Sequence, residues 1–464
     1  MQLTCKSIEL LNSISYTTNN KSNQIKGVLH MLGIITLLIA ISAQIGFLVY
    51  RLVTKNRQLK VKNIMRISAF AIFSLLLVTG VYWWGFRWIG LFLLLAILSI
   101  FSGIYFIRKP KTQKQHKTLP AILSCISGCI MLTICVLPGI LFPQFTPVKA
   151  TGNYTINTTS VTFVDTSRID PFSKKSENRK LTVQFWYPTV KEGSNKFPLT
   201  IFSHGSFGYR GSNLSTFENL ASNGYVVCSI DHSYHSFFAK HTDGSTTLVN
   251  TEFLNDAVNI TNNKYDAKTS YDKTHEWLNL RTDDINFILN KILDNKNAVI
   301  PESVHAIINQ EKIGLFGHSL GGSAAAQLGR ERTDVDAVAV IDGTMIGEEI
   351  AFKDGHPVLN TEAYPIPLLN LYNDSHYKDA KQQGTAYNNL SASAHAKEAY
   401  DIVIRDSGHL NFTDLPLFSP SLAHILGTGT VDSRYCIETM NKIVLDFFDH
   451  TLNDKKELHL KTEY

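Results

Sequence analysis

The chain has 464 residues, 44% of them hydrophobic, and a net charge of +5. That length is ample for more than one domain. The basic excess sits largely beside apolar stretches, and no basic–aromatic array or helix-turn-helix pattern accompanies it, so it is no argument for nucleic-acid binding.

Beyond an N-terminal segment, 1–26, four apolar stretches follow in the first third of the chain, at about 27–50, 67–84, 88–107 and 119–141. Each is near the ~20 residues that cross a ~30 Å hydrocarbon core. A secretory leader would show one short apolar run and a small-residue cleavage site, which is a different pattern. Four membrane-spanning helices are therefore expected over 27–143. The loop after the first stretch carries Arg51, Lys55, Arg57, Lys60, Lys62 and Arg66, and the loop after the third carries Arg108, Lys109, Lys111, Lys114 and Lys117. Both are expected in the cytoplasm by the positive-inside rule. The turn Trp83-Trp84-Gly85-Phe86-Arg87-Trp88 suits the opposite interface. Both termini then lie outside, although Lys6, Lys21 and Lys26 put some positive charge there. The spans lack the intramembrane charges that mark transport paths.

Six cysteines, three of them in the fourth stretch, do not make a disulfide scaffold. Residues 144–178 read as a linker with leading strands, and 179–464 as a soluble domain. In it, 181–188 alternates as a strand does, and 198–203 is a short apolar run ending at His204-Gly205. Residues 213–223 read as helix, 225–230 as strand, and 276–295 as a long amphipathic helix. Further strands are expected at 313–316, 335–341, 367–372 and 400–404, and a closing helix at 435–452. Apolar strands alternating with helices indicate a mostly parallel sheet covered on both faces. The polar segment 243–273 reads as an insertion, a cap or rim near the active site.

The strongest chemical signal is Gly317-His318-Ser319-Leu320-Gly321, between an apolar strand and a small-residue helix. A G-x-S-x-G pattern in that context is a nucleophile elbow, with a serine exposed on a sharp turn and glycines where side chains would collide. With the elbow in its middle, the sheet is the α/β-hydrolase arrangement. A serine hydroxyl needs a base and an acid that orients the base, which follow the serine in the order acid, histidine. His409 follows the last core strand and is the expected base; His376, His395 and His424 are the competitors. For the acid, Asp342 and Asp374 each end a strand at the carboxyl edge of the sheet, where ligands bind. The pattern leaves the two open. The oxyanion hole is expected from the N–H of Leu320, after the nucleophile, and from the loop His204-Gly205-Ser206-Phe207-Gly208 through Ser206.

Together, 181–188, Phe202-Ser203-His204-Gly205, Asp231-His232, Asp243-Gly244, Arg281-Thr282-Asp283-Asp284, Gly317–Gly322, Asp342-Gly343-Thr344 and Gly408-His409-Leu410-Asn411-Phe412 resemble the plasma-type platelet-activating-factor acetylhydrolases and their bacterial relatives. The resemblance covers roughly 180–450 and leaves the four-span region unaccounted for. It implies Asp342 rather than Asp374 as the acid. It also implies calcium-independent hydrolysis of esters, often phospholipids with a short or oxidised sn-2 acyl chain. The chain departs from the family in its 243–273 segment and its membrane region, which leaves the acyl preference open.

The expectation is thus a serine ester hydrolase anchored in the cell membrane, its catalytic domain extracytoplasmic and its substrate a lipid or small amphiphilic ester. An acyltransferase using the same triad and a non-catalytic membrane scaffold or sensor with a hydrolase-like domain are the alternatives. No cofactor, metal or nucleic acid is expected, and the sequence names no protein partner.

Overall fold

The structure, a computed structural model, describes residues 31–108, 117–190, 196–294, 299–453 and 458–464. The N-terminal segment 1–26, the start of the first apolar stretch, and Lys109, Lys111 and Lys114 lie outside these. The described chain divides into two compact units. One runs to Pro147 and includes Leu417–Leu422; the other is Val148–Pro416 with Ala423–Tyr464.

The first unit holds four helices long and apolar enough to cross a membrane: α1 (Met31–Thr54), α2 (Leu59–Val78), α3 (Phe86–Arg108) and α4 (Thr118–Leu141). The second starts earlier than its apolar core. Lys60, Lys62 and Arg66 lie within α2, and residues 55–58 alone connect it to α1. An apolar window stops at the first charge, whereas long basic side chains run their stems along a helix and keep their heads at an interface. Gly80, at φ 76°, follows the end of α2. The helices meet through a buried Asn63–Ser102 hydrogen bond of 2.9 Å between α2 and α3, the kind of polar contact that joins helices in lipid. Of the aromatics assigned to an interface, Trp88 is instead buried. It contacts Phe73 and Tyr82 edge-on, and a Cβ on Gly139 would stand 2.8 Å from its ring. Its indole N–H donates to Gln144 Oε1 at 3.0 Å, which also accepts the Trp83 N–H at 2.8 Å. A buried tryptophan needs such an acceptor.

The second unit is built on an eight-stranded sheet of order β1-β2-β4-β3-β7-β8-β11-β12. Its strands are β1 (Ile156–Ile169), β2 (Asn178–Pro188), β3 (Phe197–Ser203), β4 (Val226–Asp231), β7 (Ile308–His318), β8 (Ala337–Ile341), β11 (Leu368–Asn373) and β12 (Ala399–Ile404). β2 is antiparallel to both its neighbours, and the pairings from β4 to β12 are parallel. Two hairpins stand apart: β5 (Phe238–Lys240) with β6 (Thr246–Leu248), and β9 (Glu349–Lys353) with β10 (His356–Leu359). Its helices are α5 (Leu214–Ser222), α6 (Thr251–Thr261), α7 (Ala267–Leu293), α8 (Glu302–His305), α9 (Leu320–Glu331), α10 (Asp374–Gln383), α11 (Asn388–His395) and α14 (Ser433–Leu452), while α12 (Leu415–Phe418) and α13 (Pro420–Leu426) include residues of both units.

Both faces of the sheet are covered because the central strands are apolar on both sides. Ile201 and Leu315 join one core with Leu278 and Ile285 of α7 and Ala324 and Leu328 of α9. Their neighbours Phe202 and Phe316 turn the other way, onto Phe217 of α5 and Phe448 of α14. The polar 243–273 segment is mostly ordered structure: β6, α6 and the first turns of α7. The long helix starts at Ala267, not near Glu276, because the Asp266 carboxylate caps it by accepting the Thr269 N–H. The apolar periodicity that marked this helix begins only with Trp277.

Beneath the sheet edge lies a buried ion cluster. Arg179 donates through Nε and Nη2 to the two oxygens of Asp284, each at 2.6 Å, and through Nη1 to Asp170 at 2.9 Å. Burial alone would raise the Asp284 carboxyl, but the Arg179 charge and its hydrogen bonds outweigh burial and hold it well below the ordinary 3.8. A depressed carboxyl contributes stability above its unfolded value and loses it as pH falls from there through the folded value. Asp284→Asn is therefore expected to cost roughly 3–5 kcal/mol at neutral pH, the usual cost of stranding one partner of a buried pair. The gap to wild type should narrow below about pH 4. Denaturant unfolding of the detergent-solubilised protein at several pH values checks this; an equal gap at pH 3 and 7 would contradict it.

Candidate active site

β7 runs straight into α9 through Ser319, whose backbone sits at φ 55° and ψ −128°. A non-glycine residue held at positive φ is a strained position, retained where the surroundings over-determine it. Here the surroundings are bare backbone. A Cβ on Gly317 would lie 2.3 Å from Gly321 C, and one on Gly321 would lie 2.0 Å from Ser203 O. The Ser319 N–H donates to Ile341 O at 2.9 Å, fastening the elbow to the end of β8.

Asp342 follows at that end, itself at φ 50°. Its buried carboxylate accepts four hydrogen bonds. Asn373 N–H and His376 Nδ1 reach Oδ1, each at 2.8 Å. Asn373 Nδ2 and His409 Nδ1 reach Oδ2, each at 2.6 Å. Burial would raise this carboxyl, but the hydrogen bonds from His376 and then His409 outweigh burial and hold it far below the ordinary range. An ionised carboxylate only accepts, so both imidazoles carry their proton on Nδ1.

The two histidines differ at their other nitrogen. His376 Nε2 is bonded to the Tyr387 hydroxyl. His409 Nε2 has no partner among the described residues, and its side chain is 42% exposed. Of the two, only His409 has a nitrogen free to exchange a proton with a substrate or a serine. Its carbonyl oxygen contacts His318 Nε2 at 3.1 Å, and the two rings stand 4.4 Å apart. Burial, and then the charge of His409, push His318 down to about 3. Among the described residues the Ser319 hydroxyl makes no hydrogen bond, so the serine–histidine contact is not formed in this structure. Such contacts often tighten only when substrate is bound.

Asp374 points elsewhere, with its oxygens bonded to Arg405 at 2.9 Å and Lys378 at 2.7 Å. Of the other candidate bases, His395 Nδ1 contacts Ser391 O at 2.7 Å, within its own helix. His424 lies on α13. The connection of His376 to the acid was not read from the sequence. A signal existed: β8 and β11 are parallel neighbours, so residues just after each emerge at one edge.

The loop after β3 closes on the elbow. A Cβ on Gly205 would lie 2.8 Å from His318 Nδ1 and 3.1 Å from Ser319 Cβ. Phe207 takes φ 62° and its N–H donates to His235 O at 3.2 Å. Side chains hold two backbone carbonyls of the loop: His204 O by Arg281 Nη1 at 2.7 Å, and Gly205 O by His204 Nδ1 at 2.6 Å. The Ser206 and Leu320 N–H groups have no acceptor among the described residues. Beside them, Phe207, Phe253 of α6, Trp277 and Leu320 form an apolar cluster.

A second serine–histidine–aspartate array lies below. Ser203 Oγ is 2.9 Å from His232 Nε2, and His232 Nδ1 is 2.9 Å from Asp284 Oδ2. All three residues are wholly buried. Burial first, and Arg281 second, push His232 down to about 3, so this imidazole is neutral and no substrate can reach it. It is scaffold. Among the described residues no three His, Cys, Asp or Glu side chains converge as metal ligands would.

The strand order, with the serine elbow at the centre of a mostly parallel sheet, defines an α/β-hydrolase. The same fold is found in a ferulic acid esterase from Streptomyces cinnamoneus, similar with a TM-score of 0.53 at 20% identity over 68% of this chain and 97% of that one. The chain belongs to the family described as platelet-activating factor acetylhydrolase, isoform II, whose model matches residues 178–462. It is 26% identical over 297 residues to the platelet-activating factor acetylhydrolase of Canis lupus familiaris, covering 59% of this chain and 61% of that protein. It is likewise 26% identical over 286 residues to a probable 1-alkyl-2-acetylglycerophosphocholine esterase of Arthroderma benhamiae, covering 58% and 65%. The match thus spans less than two thirds of these relatives.

The two aspartates give a direct contrast. Asp342→Asn is expected to lower ester hydrolysis by roughly 10⁴-fold, the loss seen when a triad acid can no longer fix its histidine. Asp374→Asn should stay within about threefold, because it removes only a surface ion pair. Initial rates on a p-nitrophenyl ester decide, and a reversed order would contradict the assignment.

Proposed function

We propose that this protein is a membrane-anchored serine hydrolase that cleaves carboxylic esters of lipid-like substrates. The reading is carried by the Asp342–His409 contact, formed beside a strained serine elbow that is fastened to the same strand end. Ser319 Oγ attacks the ester carbonyl carbon while His409 Nε2 takes the hydroxyl proton. Asp342 keeps the imidazole on its Nδ1–H tautomer and balances the imidazolium. The Ser206 and Leu320 N–H groups receive the carbonyl oxygen as it becomes an oxyanion. The C–O bond to the leaving alcohol then breaks, and that alcohol takes the proton from His409. Water attacks the acyl-enzyme by the same route in reverse, releasing the acid and restoring Ser319.

The relatives' names point to a glycerophospholipid with a short 2-acyl group, and the apolar cluster of Phe207, Phe253 and Trp277 beside Leu320 suits a lipid-like substrate. The four long apolar helices support attachment to a membrane. Arg51, Lys55, Arg57, Lys60, Lys62 and Arg66 crowd the ends of α1 and α2, which favours those ends on the cytoplasmic side. The hydrolase unit, which follows α4, then lies outside the cytoplasm, and the helices anchor it to the cell membrane.

Ser319→Ala in the detergent-solubilised chain should abolish hydrolysis of a p-nitrophenyl ester down to the residual rate that binding and oxyanion contacts alone support, a loss of roughly 10⁶-fold. Hydrolysis at the wild-type rate would overturn the mechanism. For the orientation, protease added to intact right-side-out cells should cleave the hydrolase unit; protection that persists until the membrane is broken would reverse it.

A further inference from the structure

Triad logic requires one histidine on the acid, yet Asp342 carries two. Asn373 explains how the second one arrives. It caps α10, its side-chain oxygen accepting the His376 N–H at 2.9 Å, while its own N–H and Nδ2 bind the Asp342 carboxylate. The first turn of α10 therefore aims the His376 ring at Oδ1. At the far side of that ring, Nε2 meets the Tyr387 hydroxyl, which in turn lies 2.9 Å from Thr344 Oγ1. Burial pushes the Tyr387 phenol up to about 12, so it keeps its proton. With Nε2 accepting, the chain runs in one direction: Thr344 O–H to Tyr387, Tyr387 O–H to His376 Nε2, and His376 Nδ1–H to Asp342.

Resting on the mechanism proposed above, we infer that His376 is a positioning residue for the catalytic acid: through Tyr387 and Asp342 it fixes the orientation and basicity with which the acid holds His409. Two consequences follow from the geometry. Without the Nδ1–H donor, Oδ1 keeps only the Asn373 N–H among the described residues, and the plane of the carboxylate is less tightly fixed while Oδ2 still faces His409. The charge no longer shared with His376 also falls more strongly on His409, which favours its imidazolium and raises the pH at which it loses its proton. The direction is the same whether His376 itself is neutral or charged.

The other titratable groups around this cluster come from several elements. His318 of β7 faces His409, and Tyr372 of β11 packs on His376 at 5.1 Å between ring centroids. Cys436 of α14 has its thiol pushed up to about 12, by burial first and then by the Asp342 charge. Glu349 and Asp379 act on Tyr387. Asp374, two residues before His376, is neutralised by Lys378 and Arg405.

The test compares His376→Ala and His376→Asn in the full chain in detergent, with p-nitrophenyl acetate as substrate and active sites counted by fluorophosphonate titration. In Asn the amide N–H stands where Nδ1–H does. His376→Ala should lower kcat/KM per titrated site by on the order of 10-fold to 100-fold, the usual loss when the partner of a site residue is removed. It should also move the acid limb of the pH profile upward by at least about 0.5 unit. His376→Asn should recover most of the rate and keep the wild-type limb. An unmoved acid limb in the alanine variant overturns the inference, as does an asparagine variant as impaired as alanine. If alanine yields no folded protein, His376→Gln, which cannot place its amide at Nδ1, takes its place with the same two outcomes. Ser319→Ala runs beside them: activity surviving there refutes the hydrolase mechanism, whereas its loss with an unmoved limb at position 376 refutes only the role of His376.

Discussion

The site depends on one steric constraint, the contact of bare backbone with bare backbone where β7 turns into α9. With 2.0 Å between a Gly321 Cβ and the Ser203 carbonyl, no side chain larger than hydrogen fits there. That approach draws β3 against the elbow, and with it the Gly205 loop that passes over Ser319. The other flank is as close: a Cβ on Gly343 would lie 2.4 Å from Ser319 O, so the end of β8, carrying Asp342, is locked to the serine's own backbone. The strain at Ser319 is sustained because strands on both sides fix it. Ser319, Asp342 and the Gly205 loop thus share one rigid corner, which is what the proposed ester chemistry needs from a scaffold.

Electrostatics then sort three histidines. Burial keeps His318 and His232 neutral. Of the three, His409 combines a bond to an ionised carboxylate with a partly exposed side chain whose Nε2 has no partner among the described residues. The buried Ser203–His232–Asp284 array shows why connectivity by itself does not define a catalytic group. Its distances match a triad, but its acid is committed to Arg179 and its serine is sealed in the sheet.

Much of this was legible in the sequence. The elbow pattern, the strand-ending Asp342 and the Gly408-His409 turn are local, because each sits at the end of a strand that its apolar residues announce. The competition between Asp342 and Asp374 was not legible from pattern, since both end strands; the structure separates them by partners, two histidines for one and Arg405 with Lys378 for the other. The bond of His376 to Asp342 escaped notice because His376 follows β11, not the last strand, and the meeting depends on strand adjacency and on the Asn373 cap. Helix boundaries slipped for a similar reason. Lys60, Lys62 and Asp266 act at helix starts, where charge and capping count for more than apolar periodicity. Trp88 reads as an interfacial aromatic by composition, but Gln144, far along the chain, supplies the acceptor that lets it be buried.

Ser319, rather than any other hydroxyl, is the group proposed to become acylated. Mapping the adduct of a fluorophosphonate on the intact protein by peptide mass spectrometry tests it most directly. A single adduct on the peptide containing Ser319, suppressed by a competing short-chain ester, is the result predicted. An adduct on a different residue, or an unmodified Ser319 in protein whose esterase activity has been abolished by the probe, would contradict the account.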